Sequence, residues 1–116
     1  MTLGDNTPLA DLMVISPVDK TQFLVDVKGL ARRNYWTVAK KEVRQNLFYI
    51  LALVPSGGQN LFFILPQVDV NQFVDAEFAR CRPEQREAGI DKLRLGVRWQ
   101  DADQERYREA WKTLPQ

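Results

Sequence analysis

Ala10-Asp11-Leu12-Met13-Val14-Ile15-Ser16-Pro17-Val18-Asp19-Lys20-Thr21-Gln22-Phe23-Leu24-Val25-Asp26-Val27-Lys28-Gly29 consists of two apolar runs around a turn, with acids and a lysine at their outer ends. Pro17, Asp19, Lys20 and Thr21 are turn formers. Residues 11–16 and 23–28 are therefore predicted to form the strands of a hairpin that ends at Gly29. Residues two apart on a strand share a face, which sets Asp26 and Lys28 side by side. Pairing Ser16 with Phe23 puts Met13 against Asp26 and Asp11 against Lys28. Opposed residues of an antiparallel pair share a face with their Cβ atoms about 5 Å apart. Asp11, Asp26 and Lys28 then cluster at one end of the hairpin, an arrangement able to hold a divalent metal and activate a water. The other face carries Leu12, Val14, Phe23, Val25 and Val27. A slip of one residue would turn Asp11 to the wrong side.

Working outward, 116 residues make one domain, 1–116, with enough chain for a core. Composition is ordinary for a globular protein, with 45% hydrophobic and 27% charged residues. The single cysteine, Cys81, excludes an intrachain disulfide and a zinc framework. Histidine is absent, which removes Ser-His-Asp and Cys-His chemistry and histidine metal sites. Catalysis would have to use carboxylates, lysine, tyrosine or a metal. The first ten residues are polar and do not read as a signal peptide. The longest apolar run, 47–55, is too short to span a bilayer. The expectation is a soluble cytoplasmic protein.

The net charge of +1 hides an asymmetry. Residues 1–27 carry four acids against Lys20, or −3, whereas 28–44 carry six basic residues against Glu42, or +5. Within that basic segment, Tyr35 to Val38 reads as a short strand and Ala39 to Gln45 as a helical turn. Leu47 to Val54 has no polar alternation and reads as a strand buried on both faces. A turn at 56–60 leads to a second buried strand, Leu61 to Leu65, stopped by Pro66. Asp69 or Asn71 is expected to cap a helix running to about Cys81. Residues 84–92 read as a loop or helical turn. Lys92 to Trp99 alternates as an edge strand, and Asp101 or Asp103 is expected to cap a final helix with Tyr107, Ala110, Trp111 and Leu114 on its apolar stripe. Trp99 and Trp111 are expected to pack together, Tyr49, Phe62 and Phe63 to lie in the core, and Cys81 to be an inert buried thiol. The order implies an α/β or α+β domain, a mixed central sheet with flanking helices.

A strand beginning Ala10-Asp11-Leu12, a turn, a strand ending Val25-Asp26-Val27-Lys28-Gly29, a basic and aromatic segment and two buried strands together resemble the core of the PD-(D/E)XK, or restriction-endonuclease-like, superfamily. The resemblance covers roughly residues 8–66, about half the chain. Pro8-Leu9-Ala10-Asp11 is a loosened form of the first half-motif, and Asp26-Val27-Lys28 fits the second. It implies a metal-dependent nuclease hydrolysing phosphodiester bonds, with Asp11, Asp26 and the Val27 carbonyl holding Mg²⁺ or Mn²⁺ and with Asp11, Asp26 and Lys28 catalytic. Hard cations prefer such oxygen ligands, and a metal lowers the pKa of a bound water.

The superfamily places a helix, often with a metal-binding Glu, before the first motif strand. Ten residues precede Asp11 here, and Asp5 is the one acid among them. The expected core therefore lacks that helix. The alternative is a catalytically inactive nucleic-acid-binding or protein-assembly module on the same fold. Arg32, Arg33, Trp36, Lys40, Lys41 and Arg44 are the candidate contacts to DNA or RNA, the cations following phosphates and Trp36 stacking on bases. The plainer reading is a solvated basic face with Trp36 packed over the sheet. Gln45, Lys40 and Lys41 are also candidates for an accessory site residue. An exposed sheet edge favours a homodimer.

Overall fold

The computed structural model describes residues 11–44, 46–90 and 93–115. Among the described residues the strands are β1 (Leu12–Ile15), β2 (Gln22–Leu30), β3 (Tyr35–Thr37), β4 (Leu47–Leu53), β5 (Leu61–Pro66) and β6 (Gly96–Arg98). The helices are α1 (Gln67–Arg80), α2 (Pro83–Glu87) and α3 (Trp99–Ala102), followed by a 3-10 turn at Trp111–Thr113. The expected α+β class holds. A mixed four-stranded sheet has the order β1-β2-β4-β5, and β3 and β6 make a separate two-stranded ribbon. Strands β2 and β4 are parallel, the other neighbours antiparallel. A parallel pair needs a crossover, and here the basic segment with β3 provides it.

The continuous apolar run of β4 is explained by burial on both sides. One face packs Leu47, Tyr49 and Leu51, with Phe63 and Leu65 of β5, against Val70 and Val74 of α1 and against Trp36 and Val97 of the ribbon. The other face is a smaller cluster of Phe23, Val25 and Phe48, with Val14, Ile50 and Leu114 against it. The rings of Phe23 and Phe48 meet edge to face at 6.0 Å. Among the described residues, no helix is long and apolar enough to cross a membrane.

Several expectations require correction. The hairpin is paired two places away from the predicted register, with Val14 opposite Phe23 and Met13 opposite Leu24. The turn is tighter than its sequence suggested: Ser16 N–H donates to Thr21 C=O at 2.8 Å, and Lys20 adopts φ 63°. A shift of two keeps every side chain on its predicted face. Residues 39–44 form no helical turn, because their backbone groups bond to Gln67 of α1. Helix α1 begins at Gln67, directly after Pro66. Asp69 lies in its first turn and accepts the Tyr107 hydroxyl at 2.7 Å, and Asn71 is buried.

The last strand is shorter than expected, and Trp99 starts α3 instead of ending the strand. The long final helix is absent. Ile64 N–H donates to Tyr107 C=O and Glu109 N–H to Phe62 C=O, each at 2.9 Å, so the backbone of this segment is bonded to the outer edge of β5. Glu109 at φ 51° interrupts any helical path. Trp99 packs on Trp36 and Phe63, whereas Trp111 packs on Phe62, so the two tryptophans do not meet. Cys81 is a free thiol, half-buried rather than buried. Residues 1–10, Gln45 and Lys92, on which a lead-in, an accessory residue and a strand start were expected, lie outside the described residues.

Candidate carboxylate–lysine site

Asp26 lies in the middle of β2 opposite Tyr49 of β4, on the sheet face covered by α1. It is 3% exposed. A carboxylate so deep needs charged or hydrogen-bonding partners. Two lysines provide them: Lys41 Nζ is 2.9 Å from Asp26 Oδ2 and Lys28 Nζ is 3.8 Å from the same oxygen.

Asp11 brackets Asp26 from the neighbouring strand. Its backbone N–H donates to Val25 C=O at 3.1 Å, and its Oδ2 accepts Val27 N–H at 2.7 Å. The predicted gathering of Asp11, Asp26 and Lys28 therefore exists, with Asp11 beside Asp26 rather than against Lys28. The Val27 amide holds the Asp11 carboxyl below its ordinary value, against some opposition from desolvation and with help from Lys28 and Lys41. Two acids and two lysines leave the cluster balanced in formal charge.

The sequence made Lys41 a candidate both for phosphate contact and for an accessory site residue. Tertiary structure turns it inward, and Gln67 is the reason. The Gln67 side chain is 1% exposed, where an unpaired amide would be costly. Its Oε1 accepts Arg44 N–H at 2.6 Å, and its Nε2 donates to Glu42 C=O at 2.9 Å and Lys41 C=O at 3.3 Å. Asn71 Nδ2, one turn further along α1, also donates to Lys41 C=O, at 3.5 Å. These bonds pin the irregular segment against α1 and aim Lys41 at Asp26.

Tyr49 completes the floor, fully buried, with Lys41 Nζ 6.0 Å from its ring centroid. Its hydroxyl has no hydrogen-bond partner among the described residues. Burial, and secondarily the Asp26 charge, push its ionisation up to about 12. Gln67, Asn71 and Tyr49 were missed as site residues. The one available signal was polar side chains directly after, or inside, apolar runs.

The candidate nucleic-acid contacts disperse. Trp36 is 1% exposed, and its indole N–H donates to Ala52 C=O at 3.1 Å, so it cannot stack on bases; β3 faces it inward against Phe63 and Trp99. Lys40 pairs with Asp75 at 2.7 Å, and Lys41 belongs to the Asp26 cluster. Arg32, Arg33 and Arg44 remain exposed, Arg33 with its guanidinium 4.9 Å from the Trp99 ring centroid.

No family model, curated protein or solved structure matches the chain. The donor set must therefore speak for itself. Among the described residues no three His, Cys, Asp or Glu side chains gather. Two adjacent carboxylates do, and ions of the Mg²⁺ type are commonly held by one or two carboxylates plus waters and substrate phosphate. Asp11 and Asp26 are the two carboxylates that such an ion would take. Lys41 competes with it for Asp26 Oδ2.

Proposed function

We propose that this protein is a metal-dependent nuclease-like enzyme that hydrolyses phosphodiester bonds in nucleic acid. One observation carries the reading: a carboxylate buried in mid-sheet, bracketed by a second carboxylate and faced by two lysines. Catalytic carboxylates and lysines favour such mutually perturbing surroundings. Bound at Asp11 and Asp26, Mg²⁺ or Mn²⁺ supplies Lewis-acid charge and a more acidic water. Lys28, at 36% side-chain exposure, is the lysine that reaches a phosphate and offsets its growing negative charge. Lys41 pairs with Asp26 at 2.9 Å and holds it in place. Exposed Arg32, Arg33 and Arg44 draw in the DNA or RNA backbone.

A second reading has its own support. Lys41 already neutralises Asp26 without any metal, as expected of an inactive nucleic-acid-binding or assembly module on the same fold. The edge strand β1 exposes Leu12, Met13 and Ile15, each more than half accessible, and a homodimer would cover them. A cytoplasmic location agrees with the free thiol of Cys81.

The test is a Mn²⁺ titration followed by thermal unfolding, with Asp26→Ala as control, and then plasmid nicking with Lys28→Ala. The nuclease reading requires that Mn²⁺ stabilise the parent chain and not the Asp26 variant, and that Lys28→Ala nick at least tenfold more slowly. Equal stabilisation of both proteins, or none, sinks it in favour of the inactive module.

A further inference from the structure

A cleft lies beyond the carboxylate cluster, at the carboxyl ends of the parallel strands β2 and β4. Ligands in open α/β sheets tend to sit at such strand ends. Its volume is about 560 Å³, and Arg32, Arg33, Leu53, Pro55, Gln59 and Leu61 line it. That volume falls within the range of small-ligand pockets, about 300–1,000 Å³. The floor is apolar, from Leu53, Pro55 and Leu61, and the rim is polar, from two guanidiniums and one amide.

Both guanidiniums are available. Among the described residues no carboxylate is ion-paired with Arg32 or Arg33. Arg33 is steadied over the Trp99 ring, which leaves its donor edge for a ligand. The opposite wall is fixed by a tight turn. Gly57 has φ +76°, and a Cβ on Gly58 would lie 2.8 Å from Pro55 Cγ, so the loop is packed down without side chains.

Strand register ties the cleft to the cluster. Leu53 pairs with Leu30 on β2 and with Leu61 on β5. Leu30 is two places beyond Lys28 and four beyond Asp26, and the strand period puts all of these on one face. Lys28 and Leu30 are separated by only ~7 Å of strand.

We infer that this cleft holds one nucleotide unit of a bound strand: its phosphate on Arg32 and Arg33, its base against Leu53, Pro55 and Leu61, and the base edge at the Gln59 amide. The two arginines call for an anion, and the apolar floor calls for a flat unhydrated body next to it. A phosphate bearing a nucleobase has both. The inference rests on the nucleic-acid reading but uses residues outside the carboxylate cluster, so the two can fail separately.

Calorimetric titration of the full chain with deoxyadenosine 5′-monophosphate, deoxyadenosine, inorganic phosphate and a single-stranded deoxyadenosine trinucleotide tests it. The monophosphate is expected to bind at least tenfold more tightly than deoxyadenosine or phosphate, and the trinucleotide more tightly still. Arg32→Gln combined with Arg33→Gln should weaken monophosphate binding at least tenfold while leaving the thermal midpoint nearly unchanged, because both side chains are exposed. Lys28→Gln should weaken only the trinucleotide. Phosphate binding as well as the monophosphate reduces the cleft to an anion patch and overturns the inference. So does unaltered binding by the double arginine variant, or a monophosphate that outbinds the trinucleotide. Nucleotide binding without plasmid nicking keeps the cleft and removes the nuclease reading. Nicking without nucleotide binding does the reverse.

Discussion

Lys41 Nζ lies 2.9 Å from Asp26 Oδ2, closer than the motif lysine, Lys28, at 3.8 Å. The lysine side chains are 16% and 36% exposed, so the closer pair is also the drier one. Removing one member of a buried pair strands the other charge, whereas a solvated pair contributes little. The two lysines therefore differ in kind, Lys41 holding Asp26 in a drier pair and Lys28 remaining more solvated.

Lys41→Met is therefore expected to destabilise the fold by about 2–3 kcal/mol, because Asp26 loses its close partner. Lys28→Met should cost less than about 1 kcal/mol. Urea unfolding at neutral pH measures both, and Asp26→Asn combined with Lys41→Met should recover part of the loss. Equal losses from the two single lysine variants would contradict this division.

Gln67→Leu removes an acceptor for Arg44 N–H and a donor for Lys41 and Glu42 C=O. Leucine has nearly the same size, so the loss is one of hydrogen bonding. A cost of about 2–3 kcal/mol is expected from the stranded backbone groups. Amide exchange at Arg44 should quicken more than at Val70 or Val74 in the middle of α1. Uniform quickening across the helix would mean that Gln67 supports α1 as a whole and does not clamp the segment.

Asp11 gives a pH signature. Its carboxyl is held below its ordinary value, chiefly by the Val27 amide. A depressed folded value stabilises the protein above the unfolded carboxylate pKa of about 3.9 and loses that contribution as pH falls through the folded value. The urea midpoint of the parent chain should exceed that of Asp11→Asn above about pH 5, and the gap should close on acidification. A gap that stays constant from neutral pH to pH ~2.5 would remove Asp11 from the titrating site.

The Tyr49 hydroxyl is buried with no partner among the described residues, and its ionisation is pushed up to about 12 by burial and then by Asp26. Tyr49→Phe should therefore be neutral, or stabilising by up to about 1 kcal/mol, since no hydrogen bond is lost. A raised folded pKa means that ionisation favours the unfolded chain once pH passes about 10, so stability falls as pH rises from there toward 12. Alkaline unfolding should accordingly move to higher pH in Tyr49→Phe, as followed by circular dichroism. A clear destabilisation at neutral pH would reveal a hydrogen bond to an ordered water.

The strands were legible because their signals are local. The apolar run at 47–54, the short β-rich stretch at 35–38 and the turn at 56–60 each announce themselves within a few residues. The gathering of Asp11 and Asp26 survived a hairpin register two places off, because a strand repeats every two residues and a shift of two changes no face. Helices were less legible. The apolar stripe expected from Tyr107 to Leu114 is real in sequence, yet β5 had a free edge that took those backbone hydrogen bonds.

What the sequence alone determined is therefore the order of strands, the face carrying Asp11, Asp26 and Lys28, and the absence of histidine and disulfide chemistry. Only the tertiary structure turned Lys41 onto Asp26 through the Gln67 clamp, buried Trp36 under the ribbon, and opened a cleft between Arg32 and Leu61. The physical reason is range. Strand period and turn chemistry act between near neighbours in the chain, whereas a hydrogen bond from Gln67 to Glu42 or an ion pair from Lys41 to Asp26 exists only after distant segments have packed.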